Sequence, residues 1–320
     1  MLANALIVLV GFVPLVKGAD MLVSGASSLA KRLGISTLLI GLTIVAFGTS
    51  MPELVVAVFA SFRGTSDIAI GNIIGSNIAN IALILGLSAL FIPLQVREST
   101  IWKEIPFALL AVLLVAIMAR DSVLDRTAGD ILGRGDGLVL LSLLIVFLYY
   151  IFGMVKGGRA DLKDLPKMST RKTALFIIVG ILMLVAGGKV VVDGAVGLAA
   201  ALGMSSRFIG LTVIAIGTSL PELMTSIVAA LKKEPDLSVG NIIGSNIINI
   251  LFVLGISATI RPLPFSTAVF FDTVCCILIT LLLFLFMFIG RKHVIDRWQG
   301  ASLIALYCLY IGYVFVSGRV

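Results

Sequence analysis

Two stretches of this 320-residue chain recur at one fixed offset, and both lie inside long apolar segments. Residues 41–56, GLTIVAFGTSMPELVV, return as residues 210–225, GLTVIAIGTSLPELMT, with ten of sixteen positions identical and an offset of 169. Residues 71–86, GNIIGSNIANIALILG, return at 240–255 as GNIIGSNIINILFVLG, again at 169. Upstream, Gly25, Ala26, Leu29, Leu33 and Gly34 pair with Gly194, Ala195, Leu198, Leu202 and Gly203 at the same offset. A repeat this regular means a duplicated structural unit, so the fold must be built from two copies of one arrangement.

The segments that carry the repeat belong in a bilayer. Hydrophobic residues make up 59% of the chain and charged residues 13%, where a soluble domain carries roughly 25%. Apolar runs near the length of a bilayer-spanning helix recur along it. Their lack of strict alternation excludes a transmembrane β-barrel. The expected spans are 3–29, 36–61, 67–92, 101–119, 136–155, 173–200, 206–231, 237–259, 267–289 and 297–317. The start of the chain has no basic n-region and reads as a first helix rather than a signal peptide. Three cysteines inside apolar segments, Cys275, Cys276 and Cys308, read as small buried hydrophobes. His293 reads as a loop residue.

Ten spans divided by the repeat give five and five. The expected layout is a first repeat at 1–155, a cytoplasmic linker at 156–172 and a second repeat at 173–320. Five is odd, so the second copy enters the membrane inverted relative to the first. With the linker inside, fifteen loop Lys and Arg face the cytoplasm and seven face outward, which sets both termini outside. The net charge of +7 is then a topology signal and not a nucleic-acid one. The loop RDSVLDRTAGDILGRGD carries Asp121, Asp125, Asp130 and Asp136, which read as a solvated loop or a weak cation vestibule. Lys17–Asp20 and Lys189–Asp193 read as local ion pairs, being one helical turn apart. Asp272 reads as a paired or snorkelling acid.

Inverted repeats place a substrate site where Gly- or Pro-interrupted segments meet near the midplane. Glu53 and Glu222 lie mid-span, where a charge costs at least about 2.5 kcal/mol and acids are functional by default. Pro52 and Pro221 have no N–H to give the carbonyl four residues back, and an unmet carbonyl in hydrocarbon needs a partner. Thr49, Ser50, Thr218 and Ser219 add hydroxyls. Ser76 and Asn80, like Ser245 and Asn249, share a helix face at i, i+4, and Asn72 and Asn241 extend it. Asn77 and Asn246 point elsewhere and read as interhelical hydrogen bonders. Gly71, Gly75, Gly240 and Gly244 read as close-packing glycines. The set is all hard oxygen, without His or Cys, and suits Ca²⁺, Mg²⁺ or Na⁺ rather than zinc or copper. Two carboxylates balance one divalent or two monovalent cations, which is a physical basis for exchange.

The four motifs, GTSMPE with GNIIGSNIAN and GTSLPE with GNIIGSNIIN, resemble the paired repeats of the cation/Ca²⁺ exchanger superfamily, most closely its prokaryotic Na⁺/Ca²⁺ exchangers. The resemblance covers nearly the whole chain. It implies an all-α polytopic membrane protein of ten helices in two inverted five-helix repeats. It implies electrogenic Na⁺/Ca²⁺ antiport by alternating access in a prokaryotic cell membrane, with spans 1 and 6 sliding against the core. The small residues Gly18, Gly25, Ala26, Gly187, Gly188 and Gly194 suit such contact. The ion ligands it implies are Ala46, Thr49, Ser50, Glu53, Ser76 and Asn80, with Ala215, Thr218, Ser219, Glu222, Ser245 and Asn249. The two alanines would act through their carbonyls. Some relatives carry aspartate where this chain has Asn249, which argues against K⁺-dependent exchange. The short linker leaves no room for a Ca²⁺-sensor domain of the animal type.

The resemblance implies no enzymatic activity and no cofactor; Ca²⁺ and Na⁺ are bound as transported ions. Lipid is a partner and nucleic acid is not, and a monomer is compatible with the pattern. H⁺/Ca²⁺ antiport is the alternative, although that branch tends to show a GNxxE-like signature where this chain has GTSxPE. A cation channel or an intramembrane carboxylate enzyme fits less well. Neither needs an inverted duplicate, and no nucleophile accompanies the glutamates.

Overall fold

The structure is a computed structural model that describes residues 1–124, 126, 129–156, 167–202 and 215–316. Its described apolar segments are mainly helical. The main helices are α1 (Leu2–Leu33), α2 (Thr37–Thr49), α3 (Met51–Arg63), α4 (Ser66–Phe91), α5 (Thr100–Met118) and α6 (Arg134–Lys156). They continue as α7 (Thr170–Ala201), α8 (Ala215–Thr218), α9 (Leu220–Leu231), α10 (Pro235–Ile260), α11 (Thr267–Phe286) and α12 (Arg297–Val316). Among the described residues, eight helices are long and apolar enough to cross a membrane, and the bent α2–α3 pair makes nine. The expected span 206–231 lies partly outside the described residues, which hold only its α8 and α9 portion.

The helix ends follow local chemistry. α1 stops at Gly34, whose φ of 69° gives the left-handed cap that glycine adopts without strain. α7 starts on Ser169, whose hydroxyl accepts the N–H of Lys172. α11 starts likewise on Ser266.

The bundle is ordered by polarity. The polar-motif helices α4 and α10 are central, with 78% and 89% of their apolar windows buried, against 28% for α6 and 22% for α12. Lipid gives no hydrophobic drive between helices, so close approach depends on small residues. A Cβ on Gly240 would lie 2.7 Å from the Leu38 carbonyl oxygen, and one on Gly244 2.7 Å from the Leu42 Cα. Those two glycines let α10 cross α2. The repeat offset would set Gly71 and Gly75 against residues outside the described set.

α1 and α7 pack along each other on the flank. Glycines at seven-residue spacing line both sides of their seam: Gly11, Gly18 and Gly25 facing Gly180, Gly187 and Gly194. A Cβ on Gly18 would lie 2.9 Å from the Gly180 oxygen, and one on Gly180 2.7 Å from the Leu22 nitrogen. The pair is tied at one end by Ser28 to Thr173 (2.9 Å), by the Met168 N–H to Ser28 (3.0 Å) and by Arg32 to the Met168 carbonyl (2.9 Å).

Two short antiparallel clasps join loops from opposite halves of the chain. Leu94–Gln95 (β1) pairs with Val294–Ile295 (β4), and Ile131–Leu132 (β2) with Leu263–Pro264 (β3). Position 94 plus 169 is 263, so β1 and β3 are repeat counterparts, and each is clasped by a strand from the other half.

Several loop expectations change. Asp20 does not pair with Lys17; it bonds Lys232, at 2.6 Å, because the end of α9 comes to rest on α1. Lys189–Asp193 does form, at 2.7 Å. In the acidic loop, Asp130 pairs with Arg120 at 3.1 Å and accepts the Ser122 N–H, and its carboxyl is held below the usual range mainly by those Ser122 bonds. Asp121 accepts the Ile131 N–H and Asp136 the Gly133 N–H. These three aspartates brace the loop instead of lining a vestibule, and Asp125 lies outside the described residues. Cys276 is buried as expected, but Cys308 sits on the outer surface of the bundle. Asp272 accepts from the Tyr310 hydroxyl at 3.0 Å.

Candidate cation site at two helix breaks

The repeated GTSxPE stretches are where helices break. α2 ends at Thr49 and α3 begins at Met51, bent by 47°. Ser50 leaves the helical region, with ψ of 8°, and Ser219 does the same with ψ of 6° between α8 and α9. Pro52 and Pro221 fall in the first turn of the new helix, where a missing N–H is harmless. The break therefore sets two helix termini nose to tail. Glu53 and Glu222 occupy the first turns of α3 and α9, where the positive end of the helix dipole favours a carboxylate. The preceding segments end on carbonyls. The Ala46 oxygen accepts the Ser50 N–H at 3.0 Å and the Thr49 hydroxyl at 3.4 Å. Ala215 is the first residue of α8.

The α4 and α10 motifs complete the site. Each continues into a π-helical stretch, at Ala79–Leu85 and Asn249–Leu254, so Asn80 and Asn249 both lie where the helix widens. Such bulges are frequent at functional sites.

All the expected side chains with described positions come together, and they do so reciprocally. Glu53 Oε1 accepts from Ser76 (3.2 Å) and from Ser219 of the other half (3.1 Å). Glu222 Oε1 accepts from Ser245 (3.5 Å) and from Ser50 of the other half (3.0 Å). Thr49 donates to the Asn241 amide oxygen at 3.1 Å, and Thr218 to that of Asn72 at 3.2 Å. Asn77 Nδ2 donates to the Asn246 carbonyl (3.1 Å) and Asn246 Nδ2 to the Asn77 carbonyl (3.2 Å). Asn80 Nδ2 is held by Asn246 Oδ1 (2.9 Å) and Asn249 Nδ2 by Asn77 Oδ1 (3.0 Å). Each of these bonds has its counterpart 169 residues away.

This network leaves a specific set of atoms unmet. Glu53 Oε2, Glu222 Oε2, Asn80 Oδ1 and Asn249 Oδ1 are buried and have no hydrogen-bond partner among the described residues. The glutamates themselves are 1% and 0% exposed. Native proteins leave few buried polar atoms unpaired, so four in one symmetric cluster need a cause. They are two carboxylate and two amide oxygens, a hard donor set fit for an alkali or alkaline-earth cation. Among the described residues no three His, Cys, Asp or Glu side chains gather, so such an ion would be held mostly by neutral oxygens.

Two features of this region escape the sequence reading. Ser226 accepts from Asn241 Nδ2 at 3.0 Å and fixes that amide, whereas Asn72 Nδ2, whose counterpart partner would be Ala57, is unpartnered among the described residues. Outside the site, Glu104 is buried in α5 and accepts from the Tyr150 hydroxyl. The sequence reading assigns Glu104 no role, although it lies inside the expected span 101–119.

Comparison with known proteins agrees with this architecture. Residues 3–153 and 172–316 match the family described as Sodium/calcium exchanger protein. The chain is 40% identical over 272 residues to the inner membrane protein YrbG of Escherichia coli strain K12, covering 82% of this chain and 81% of that one. It is 33% identical to the sodium/calcium exchanger MaX1 of Methanosarcina acetivorans, covering 98% of each. The solved structure of the sodium-calcium exchanger NCX_Mj soaked with Na⁺ and Ca²⁺ superposes with a TM-score of 0.83 at 36% identity, over 98% of both chains. With its polytopic all-α membrane fold, the chain belongs to the sodium/calcium exchanger protein family, a family of integral membrane transporters and not of enzymes.

Proposed function

We propose that this protein is a secondary active antiporter that exchanges Na⁺ for Ca²⁺ by alternating access at a midplane site built around Glu53 and Glu222. The observation that carries the reading is the set of four unmet oxygens on Glu53, Glu222, Asn80 and Asn249 inside a reciprocal hydrogen-bond frame. Ca²⁺ cancels the two carboxylate charges; two Na⁺ do the same. An empty site would leave two like charges in a low-dielectric interior, which disfavours transit without an ion. Coupling follows, because the carrier crosses readily only when loaded.

The supporting architecture is ten spans in two inverted five-helix repeats, with both termini outside and 156–172 in the cytoplasm. The described helices, the offset of 169 and the relatives' names favour it. Thr49, Ser50, Thr218, Ser219, Ser76 and Ser245 orient the carboxylates and complete the coordination, and Ala46 and Ala215 add backbone oxygen. Carbonyl oxygens carry two lone pairs, so Ala46 can accept its helix bond and still face an ion.

The test is ⁴⁵Ca²⁺ uptake into vesicles of purified protein. An imposed outward Na⁺ gradient should drive accumulation, and where more than two Na⁺ leave per Ca²⁺, so that net positive charge leaves the vesicle, an imposed inside-positive potential should speed it. Uptake that follows a pH gradient and ignores Na⁺ would replace this reading with H⁺/Ca²⁺ antiport. Uptake without any counter-gradient would replace it with a channel.

A further inference from the structure

The bonds that frame the two glutamates obey the repeat, but the contacts of α1 and α7 with the core do not. α1 packs along α9, while its counterpart α7 makes no comparable contact with α3. α7 also covers both hinges. A Cβ on Gly48 would meet Ile181, and a Cβ on Gly217 would meet Val192, although the repeat would put a residue of α1 there. The α1–α7 pair is therefore seated toward one end of the bundle. In an inverted repeat, the mirror arrangement, seated toward the other end, is the natural second conformation.

What holds the present seat is Lys232, at the end of α9. Its ammonium lies 2.6 Å from Asp20 Oδ1, 3.1 Å from the Asp20 carbonyl and 2.7 Å from Ser24 Oγ, so all three donors are used. The counterpart of Lys232 is Arg63, at the end of α3, and the counterpart of Ser24 is Asp193 on α7. The chemistry for a second grip is thus conserved across the repeat: a cation on the core helix end, an acceptor on the flanking helix. It is not engaged. Arg63 is exposed, with no hydrogen-bond or ion-pair partner among the described residues, and Asp193 is held by Lys189.

Resting on the antiport reading above, we propose that Lys232 and Arg63 are the alternating gate residues of this carrier, each clamping the α1–α7 pair at one end of the bundle in one of the two conformations. When Lys232 releases Asp20 and Ser24, the pair shifts as a unit and Arg63 takes Asp193 from Lys189. Lys189 stands where Asp20 stands in the other half, so the second grip has one acceptor fewer and a competing cation. The present conformation is the favoured one for that reason.

The experiment is a pulsed electron-paramagnetic distance measurement between spin labels at Leu33→Cys and Lys233→Cys, both exposed, with Cys275, Cys276 and Cys308 replaced by serine. The parent should show a major short and a minor long distance. K232Q and D20N should raise the long population about two- to fivefold, the range an exposed ion pair supports. R63Q and D193N should lower it, and the swap D20K/K232D should return it toward the parent. A parent with a single distance in every ionic condition, no change in K232Q and D20N, or a shift of R63Q in the same direction as K232Q would overturn the gate. Failure of Na⁺ to drive Ca²⁺ uptake in the parent would instead overturn the antiport reading, since the label distances do not depend on which ion is carried.

Discussion

The two halves of the proposed cation site are near copies of each other, and the two ends of the α1–α7 pair are not. In the site, Ser50 meets Glu222 as Ser219 meets Glu53, and Asn77 meets Asn246 in both directions. On the flank, Lys232 is fully engaged and Arg63 is free of partners among the described residues. The difference separates two jobs. A site that must hold its ion from either side gains from symmetry. An element that opens one side at a time must break it. The frame of the site is short-range and polar, with many bonds per residue. The α1–α7 seam is glycine against backbone, smooth along its length, and touches the core through a few side chains.

The sharpest way to break this comparison is at the carboxylates. Glu53→Gln or Glu222→Gln leaves one buried charge without its twin and should weaken Ca²⁺ binding by roughly a hundredfold or more, the scale of losing one member of a buried charged set. Protein should still reach the membrane. Because the half-sites are copies, both variants should fail to the same degree in ⁴⁵Ca²⁺ flux. A large disparity between them would mean that one half dominates.

The seam should respond to bulk rather than charge. Gly18→Leu or Gly180→Leu would drive a side chain into backbone at 2.9 Å or 2.7 Å, which cannot move aside. Either variant should cost about 1–3 kcal/mol or more in stability, read as a lowered melting temperature in detergent. Gly312→Ala, on an exposed face of α12 with open space around the added Cβ, should be far milder.

Next in size are the bridging amides. Asn77→Ala or Asn246→Ala removes one donor and strands its partners, which costs about 1–3 kcal/mol. It also frees the amide of Asn249 or Asn80 to turn, so Ca²⁺ affinity should fall along with stability. Stability loss with unchanged affinity would mean that the amide oxygens of Asn80 and Asn249 do not meet the ion. The repeat can also be made more exact. Ala57→Ser would give Asn72 Nδ2 the partner that Ser226 gives Asn241, and Ser226→Ala would remove the latter; the two should shift affinity in opposite directions by up to about tenfold.

The smallest effect lies outside the membrane. Arg291 holds the Asp296 carboxyl below its usual range by hydrogen bonds, and the same pair braces the loop of β4. A carboxyl depressed in the folded state contributes stability above its unfolded pKa, near 4, and loses it as pH falls through the folded value. Melting curves between pH 7 and 5 should therefore coincide for the parent and Asp296→Asn after a constant offset. They should converge only in stronger acid.

Much of the site can be read from residues alone, for a physical reason. A buried acid, a proline and paired amides are all costly in hydrocarbon, so their repetition at one offset marks where the bilayer rule is broken on purpose. The helical break at Ser50 and the interhelical role of Asn77 follow from the same signals. The state of the Ala46 oxygen does not, since a proline predicts a broken helix but not which carbonyl finds another donor. Cross-half contacts are the least legible. Asp20 sits one turn from Lys17, a pairing that sequence spacing favours, yet it bonds a lysine 212 positions away because α9 ends on its face of α1. The clasps of β1 with β4 and β2 with β3 are likewise two-residue strands with no local signature. Glu104 is likewise illegible, because its partner Tyr150 lies on α6, 46 positions away.

The central claim is that Ca²⁺ and Na⁺ compete for one site between Glu53 and Glu222. Equilibrium ⁴⁵Ca²⁺ binding to purified protein, titrated with Na⁺ in parent, Glu53→Gln and Glu222→Gln, tests it directly. The account predicts saturable binding in the parent, displacement by Na⁺ steeper than one-for-one, and loss of binding in both variants. Ca²⁺ binding that survives either substitution, or that Na⁺ does not displace, would contradict it.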